Sequence, residues 1–230
     1  MPLRRPKVPR DAVYHPVFAR FYARISVTAD EKHGVAAHRE ELLAGLSGRV
    51  IEIGAGNGLN FPHYPTAVSE VVAIEPERTL RRLAVTAALR ADVPVDVVPG
   101  AAEALPVKSE AFDAAVVSLV LCSVRDVPRT LSEIRRVLRP GGEMRFFEHG
   151  IAPGRAMATA QRALDRTVWP RLLGGCHTAR DPIAAVRAAG FELGPYRRVR
   201  VPEKGPQLPT SFAVLGVARR PYVADAPRVP

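Results

Sequence analysis

Cysteine is nearly missing from this 230-residue chain, which holds two, and tryptophan occurs once. Two thiols in a chain of this length are too few for the disulfide framework that staples small secreted domains. Cys122 sits in an apolar run and Cys176 in a loop-like run. Both are read as thiols, Cys122 as inert packing and Cys176 as the more exposed of the two. No Cys/His spacing matches a metal-binding pattern, so no metal is expected. No apolar run approaches the roughly 20 residues that a membrane-spanning helix needs. The basic start, MPLRRPKVPR, is not followed by an apolar stretch, so no secretory signal is expected and the address is read as cytoplasmic. Lysine is scarce as well, at four of 33 basic residues.

The net charge of +10 raises the question of nucleic acid, but its distribution argues otherwise. Residues 1–150 carry 20 basic against 18 acidic side chains, while 151–230 carry 13 against 5. The aromatics of that basic part (Trp169, Phe191, Tyr196, Phe212, Tyr222) are too scattered for a base-stacking platform, so no specific nucleic acid is expected. A basic final third can still steer anionic substrates or touch a membrane surface.

What is present fits one domain. The hydrophobic fraction of 47% supplies a single large core. Residues 1–12 and 221–230 read as a disordered basic start and a flexible tail around one domain, 13–220. Helical periodicity over 16–24 and 31–46 places N-terminal helices in 13–47. Then short β-branched or aromatic runs follow at 49–53, 70–75, 95–98, 112–120 and 144–149, separated by helices at 78–90 and 128–138. Alternation of this kind predicts a doubly wound α/β fold with a mostly parallel sheet. A long helix over 155–173 and a short one over 181–189 come next, with 150–182 read as a lid and helix region over the substrate. Strands at 191–201 and 211–218 complete seven, the last antiparallel.

The run IEIGAGNGLNFPHYP, residues 51–65, carries the chemistry. A strand that ends in glycines and opens toward a helix is a nucleotide-binding turn. A dinucleotide fold asks for G-x-G-x-x-G, with the third glycine where this chain has Leu59. The spacing here is E-x-G-x-G-x-G, and Glu52 would repel a pyrophosphate but suit a cationic amino group.

That motif resembles the first motif of the class I S-adenosylmethionine (SAM) methyltransferases, a Rossmann-like fold. The resemblance continues through AIEPE, GAAEALPV (100–107), FDAAVVSLVLCSV (112–124) and RRVLRPGGEMRFFEH (135–149). It implies SAM as cofactor and S-adenosylhomocysteine as product. Glu52, Gly54, Ala55, Gly56, Gly58 and Asn60 would then hold the methionine end, and Glu75 and Pro76 the ribose. Ala102, Glu103, Ser118 and Leu119 would line the adenine and methyl sides. Ala101 stands where the family often has an acid that contacts adenine. Within the family, NFPHYP, LVLCSV, FFEH, the Asp165/Trp169 pair and GGCHTARD resemble the alkyl-thiol S-methyltransferases and their bacterial relatives. Animal members carry a hydrophobic N-terminal anchor, whereas the polar start of this chain resembles a soluble version.

In-line methyl transfer needs alignment and exclusion of water. A thiol acceptor must also lose its proton, and oxygen or nitrogen acceptors usually want a base. The catalytic candidates are His149, His177 and Asp165. His149 follows the fifth strand, at the edge where open α/β sheets bind ligands, and either meets the acceptor or shapes the rim. His177 and Arg180 belong to the lid, though Arg180 can equally pair with Asp181. Asp165 is a base or a partner for an arginine. His63 and Tyr64 either close the glycine turn or pack in the core. Phe18, Phe21 and Tyr22 either roof an apolar pocket or pack as an ordinary helix stripe. The expected partner is a small-molecule methyl acceptor, a thiol first, with O- or N-acceptors or a phospholipid amine as alternatives. A catalytically silent SAM-binding regulator, a nucleic-acid modifier and a nicotinamide dehydrogenase complete the field.

Overall fold

The structure, a computed structural model, describes residues 16–222. The two expected flexible ends fall outside those residues, apart from 221 and 222.

Strand β1 (Gly48–Ile53) is buried along its length toward the carboxyl end, which an apolar run with β-branched residues requires at the centre of a sheet. It pairs in parallel with β2 (Val68–Ile74) on one side and β4 (Phe112–Ser118) on the other. With β3 (Val95–Val98), β5 (Leu138–His149), β6 (Glu192–Arg200) and β7 (Phe212–Arg219) the order across the sheet is 3-2-1-4-5-7-6. Only β7 runs against its neighbours, antiparallel to β5 and to β6. The predicted seven-stranded, mostly parallel sheet is therefore present. The Pro140–Gly142 turn does not interrupt β5. It bulges out of the ladder instead, where the register against β4 shifts between Phe112 and Ala114.

Each face of the sheet has its own core. Ile51, Ile53, Val117, Phe146 and Val186 lie in one cluster; Val50, Val71, Val116, Phe147 and Leu42 lie in the other. Neighbours in sequence thus alternate between clusters, as a pleated strand demands. Crossover helices α3 (Arg78–Ala88), α4 (Val127–Val137) and α7 (Pro182–Ala188) each begin on a side-chain cap. Glu77, Asp126 and Asp181 accept a hydrogen bond from a backbone N–H three residues on.

Three helical expectations need correction. The two N-terminal helices do not end and begin at 24 and 31: α1 (Pro16–His33) runs on to Gly34, whose φ of +75° breaks it, and α2 (Val35–Leu43) starts directly after. The helix predicted over 155–173 stops at Asp165, and a separate turn, α6 (Trp169–Leu172), follows. Pro170 lies in the first turn of α6, the position where a missing N–H is tolerated, and could not have sat inside a continuous helix. The 181–189 helix is one residue shorter at each end, with Asp181 serving as its cap.

Candidate active site

The glycine turn leaves β1 and is held against β2. Gly54 and Ala55 both donate to the Ile74 carbonyl, at 2.8 and 3.1 Å. Gly54 has a φ of +69°, and a Cβ there would stand 2.5 Å from a methyl of Val120. No larger residue fits without pushing the β4 loop away from the turn. Gly58 closes the turn by donating to the Ala55 carbonyl at 2.9 Å.

Glu75, at the carboxyl end of β2, is only 4% exposed. One carboxylate oxygen accepts from the Gly56 amide and the other from the Glu77 amide, both at 2.8 Å. Burial pushes this carboxyl up to about 7 against the pull of those two amides. Each oxygen keeps a second lone pair, so the group can accept two more hydrogen bonds, the number a vicinal diol offers. Pro76 follows it, and Arg81 of α3 donates to the Glu75 and Pro76 carbonyls at 2.9 Å each.

Glu52 is 2% exposed. Asn60 Nδ2 donates to it at 2.9 Å and the Tyr64 hydroxyl at 2.8 Å, while burial again lifts the carboxyl to about 7. Asn60 in turn accepts from Arg39 at 2.8 Å, and Arg39 pairs with Asp30 at 3.0 Å. Sequence reading missed Arg39. The signal was there: Val35, Arg39, Leu42 and Leu43 form the buried face of α2, so a lone arginine interrupts an apolar stripe. Of the NFPHYP residues, Tyr64 joins this network, whereas His63 turns toward Glu40 of α2, 3.7 Å away.

The remaining cofactor-side candidates divide. Ala102 is buried in the loop after β3, and Ala101 and Ala104 form a bridge across that loop. The Glu103 carboxylate does not face the glycine turn; it accepts from the Arg125 amide at 3.0 Å. Ser118 ends β4, 3.4 Å from Arg39. Leu119 takes a left-handed φ of +58°, a costly conformation for leucine that redirects the chain out of β4. Its amide is fixed to the Phe147 carbonyl at 2.7 Å.

Opposite the turn stands the end of β5. Glu148, wholly buried, accepts from the Val120 amide at 2.8 Å and the Cys122 amide at 3.3 Å; burial raises its carboxyl to about 7. It holds the β4 loop in place, a role the sequence did not disclose. His149 lies beside two thiols. Its Nδ1 is 3.4 Å from Cys176 Sγ, and one ligating atom from each of Cys122, His149 and Cys176 lies within 4.8 Å of the other two. Hydrogen bonding with Cys176, then burial, push the Cys122 thiol well up. Burial pulls the His149 imidazole down, but its contacts with Cys122 outweigh that and leave it raised. Both thiols are buried, and Cys176 is the more exposed of the two, at 7% against 2% for Cys122. The absence of a metal-like spacing in the sequence did not prevent a metal-like cluster in space, because its members come from three separate segments.

The 173–181 loop is tied down at several points. Asp165 accepts from the amides of Thr178 (2.7 Å) and Ala179 (3.0 Å), and from the Thr178 hydroxyl at 3.1 Å. Its oxygens are taken by the loop, so it is placed as an anchor rather than as a free base. His177, about one third exposed, is 3.8 Å from Asp165, and its backbone amide donates to the Cys122 carbonyl at 2.8 Å. Burial and the neighbouring Arg180 hold the His177 imidazole below its ordinary value. Arg180 donates to the Leu121 carbonyl, while Asp181 caps α7, so the two are not paired with each other. Buried Gln161 binds Ala152 N at 2.8 Å, Thr178 O at 3.0 Å and Pro209 O at 2.8 Å. Above the turn, Phe18 and Tyr22 of α1 pack with ring centres 5.7 Å apart, Phe18 over Gly174 and Tyr22 over Gly56. Phe21 points away and is half exposed.

A close-approach turn, a buried carboxylate with two spare acceptor sites and a second carboxylate beside it fit SAM. The comparisons agree. A methyltransferase-domain family model matches residues 51–146. Human thiol S-methyltransferase TMT1A is 30% identical over 196 residues, covering 80% of this chain and 79% of that protein. Human thiol S-methyltransferase TMT1B is 32% identical over 183 residues, covering 76% and 73%. In fold, the crystal structure of an S-adenosylmethionine-dependent methyltransferase from Mesorhizobium loti superposes with a TM-score of 0.62 at 22% identity, over 84% of this chain and all of that one. A chain with this sheet order, this turn and kinship over four-fifths of its length belongs to the SAM-dependent methyltransferases, in the family that contains the thiol S-methyltransferases.

Proposed function

We propose that this enzyme methylates the sulfur of a small thiol. The observation that carries the reading is the kinship with TMT1A. A match over 80% of the chain is too long to stop at the nucleotide-binding half, and takes in the segment from the end of β5 to the loop at Arg180 wherever it begins. In this reading Glu75 accepts from the ribose hydroxyls, and the glycine turn approaches the methionine moiety. Glu52 turns its carboxylate, braced by Asn60 and Tyr64, toward the ammonium. Bound there, SAM supplies a methyl group already activated by the sulfonium charge. The chain aligns the acceptor and keeps water away, with Phe18 and Tyr22 as part of the roof.

The acceptor side supports sulfur over oxygen or nitrogen. The two carboxylates that border it, Glu148 and Asp165, are committed to backbone amides rather than offered as bases. His149 stands among thiols in apolar surroundings, suited to holding a soft nucleophile. Among the described residues no helix is long and apolar enough to cross a membrane, and both cysteines are free thiols. The free thiols support action in a reducing compartment such as the cytoplasm.

The test is product identity. Purified protein with methyl-labelled SAM is offered panels of small thiols, phenols and amines. The expected product is a labelled thioether, with S-adenosylhomocysteine formed in equal amount. Label appearing only in phenols or amines removes the thiol assignment. S-adenosylhomocysteine binding without any product would favour the silent regulator.

A further inference from the structure

We propose that Cys122, His149 and Cys176 form a metal site for a zinc-type cation, with three protein ligands and a fourth position for the acceptor thiol. The first part stands on geometry alone; the second rests on the thiol reading above.

The ligand set is two sulfurs and one imidazole nitrogen, all within 4.8 Å of one another. Tetrahedral zinc with Zn–S of about 2.3 Å and Zn–N of about 2.0–2.1 Å separates nitrogen from sulfur by roughly 3.5 Å and sulfur from sulfur by roughly 3.8 Å. The observed 3.4 Å between Cys176 Sγ and His149 Nδ1 already has that spacing. Softness agrees with geometry, because thiolate and imidazole together select zinc over magnesium or calcium. Three protein ligands with one open position is the pattern of a metal that acts on a substrate rather than one that only braces a fold.

The ligands come from three places, and each is fixed from behind. Cys122 is in the β4 loop, whose amides at Val120 and Cys122 are gripped by Glu148. His149 ends β5 and sits in the ladder opposite Ala213. Cys176 is in the loop that Asp165 and Gln161 anchor, and the His177 amide ties that loop to the Cys122 carbonyl. Supports of this kind hold ligands at their angles in metal sites. The site also borders the cofactor turn, since Val120, two residues before Cys122, packs against Gly54.

The chemistry balances. A thiol taking the fourth position gives its proton to solvent and remains as thiolate. Its lone pair forms the new carbon–sulfur bond to the methyl group. The bond from that methyl to the sulfonium breaks, and its electron pair stays on what becomes S-adenosylhomocysteine. The neutral thioether is a weaker ligand than a thiolate, so it leaves and water returns. Thiol and SAM thus become thioether, S-adenosylhomocysteine and one proton, with no oxidant involved.

The experiment loads tag-free protein, reduced with a phosphine, with zinc or cobalt(II), passes it over a desalting column and measures metal per chain. The cobalt form is also scanned for thiolate-to-cobalt charge transfer. Wild type is expected to hold about one metal per chain. Cys122→Ser, Cys176→Ser and His149→Gln should each weaken metal binding at least tenfold while still binding S-adenosylhomocysteine, which shows that they fold. Adding a small thiol should change the cobalt spectrum. The metal site is overturned if wild type retains no metal after reduction, or if the three variants hold it as well as wild type. A Cys122–Cys176 disulfide that, once reduced, still leaves no metal bound overturns it equally. Thiol methylation is assayed on the same samples. Turnover by metal-free protein sinks the open-position role and leaves the thiol reading standing, the metal site itself being decided by retention; metal bound without thiol turnover sinks the thiol reading and the open-position role with it.

Discussion

Replacing Glu75 by glutamine should change how SAM affinity depends on pH, because this carboxyl is buried in the free protein and needed as an acceptor in the complex. Its value of about 7 in the folded chain lies above the 4.5 ordinary for a glutamate. Holding it ionised is therefore a cost: absent below 4.5, growing as pH rises through the window, and complete above 7. Two and a half units correspond to about 3 kcal/mol. The groups that face it are Glu77, Arg81 and Tyr22, together with the Gly56 and Glu77 amides. Ribose hydroxyls donate to the ionised form and so draw its proton off. The Glu75 share of the loss in affinity for S-adenosylhomocysteine between pH 7.5 and pH 5.5 should then be about 25-fold, as expected for one carboxyl that must lose its proton on binding. The ligand's own amino group titrates near 7.7–8.0 and is still mostly charged at pH 7.5, so its titration changes affinity less than about twofold over that range. Glu52 has a similar value and, facing the ammonium, adds a pH dependence of its own that the variant retains, so the difference between wild type and variant isolates the Glu75 share. Glu75→Gln should lose about 1–3 kcal/mol of affinity at pH 8, where wild type is ionised, and the Glu75 share of the pH dependence. Calorimetric titration across the range decides it. A flat wild-type profile, or an unchanged slope in the variant, would refute the ribose assignment.

Three further outcomes follow from the site. Gly54→Ala should abolish measurable S-adenosylhomocysteine binding and cost about 1–3 kcal/mol in denaturant unfolding, since its Cβ meets Val120 at 2.5 Å; wild-type affinity would show that the turn need not stay tight. Arg39→Met leaves Asp30 and Asn60 without their partner and should destabilise by about 3–5 kcal/mol, or roughly 6–20 °C in Tm. A shift of a degree or less would mean the network contributes little. Asp165→Ala should speed hydrogen exchange at 176–180 while leaving the shape of the pH–rate profile intact. Loss of one limb of that profile would make Asp165 a proton carrier instead of an anchor.

The cofactor half of the site was legible because its signals are local. Glu52 and the glycines lie within a few residues of one strand end, and Glu75 closes the next strand, so alternation and spacing suffice to place them. The sheet was legible for the same reason, through short β-branched runs set between helices. What escaped depends on chain segments far apart in sequence. Cys122, His149 and Cys176 are 27 residues apart at each step and converge only because β4 and β5 are neighbours and the 173–181 loop folds back over them. Glu148 entered only through the FFEH resemblance, with no role of its own, yet its oxygens position the very loop that carries Cys122. Gly34 falls inside the helix expected over 31–46, whereas its left-handed backbone separates α1 from α2, the helix that carries Arg39 to Asn60.

The most direct measurement is a crystal structure with S-adenosylhomocysteine bound. It should show both ribose hydroxyls on Glu75 and the thioether sulfur opening toward Cys122, His149 and Cys176. A nucleoside seated away from Glu75, or a sulfur turned from that cluster, would contradict the account.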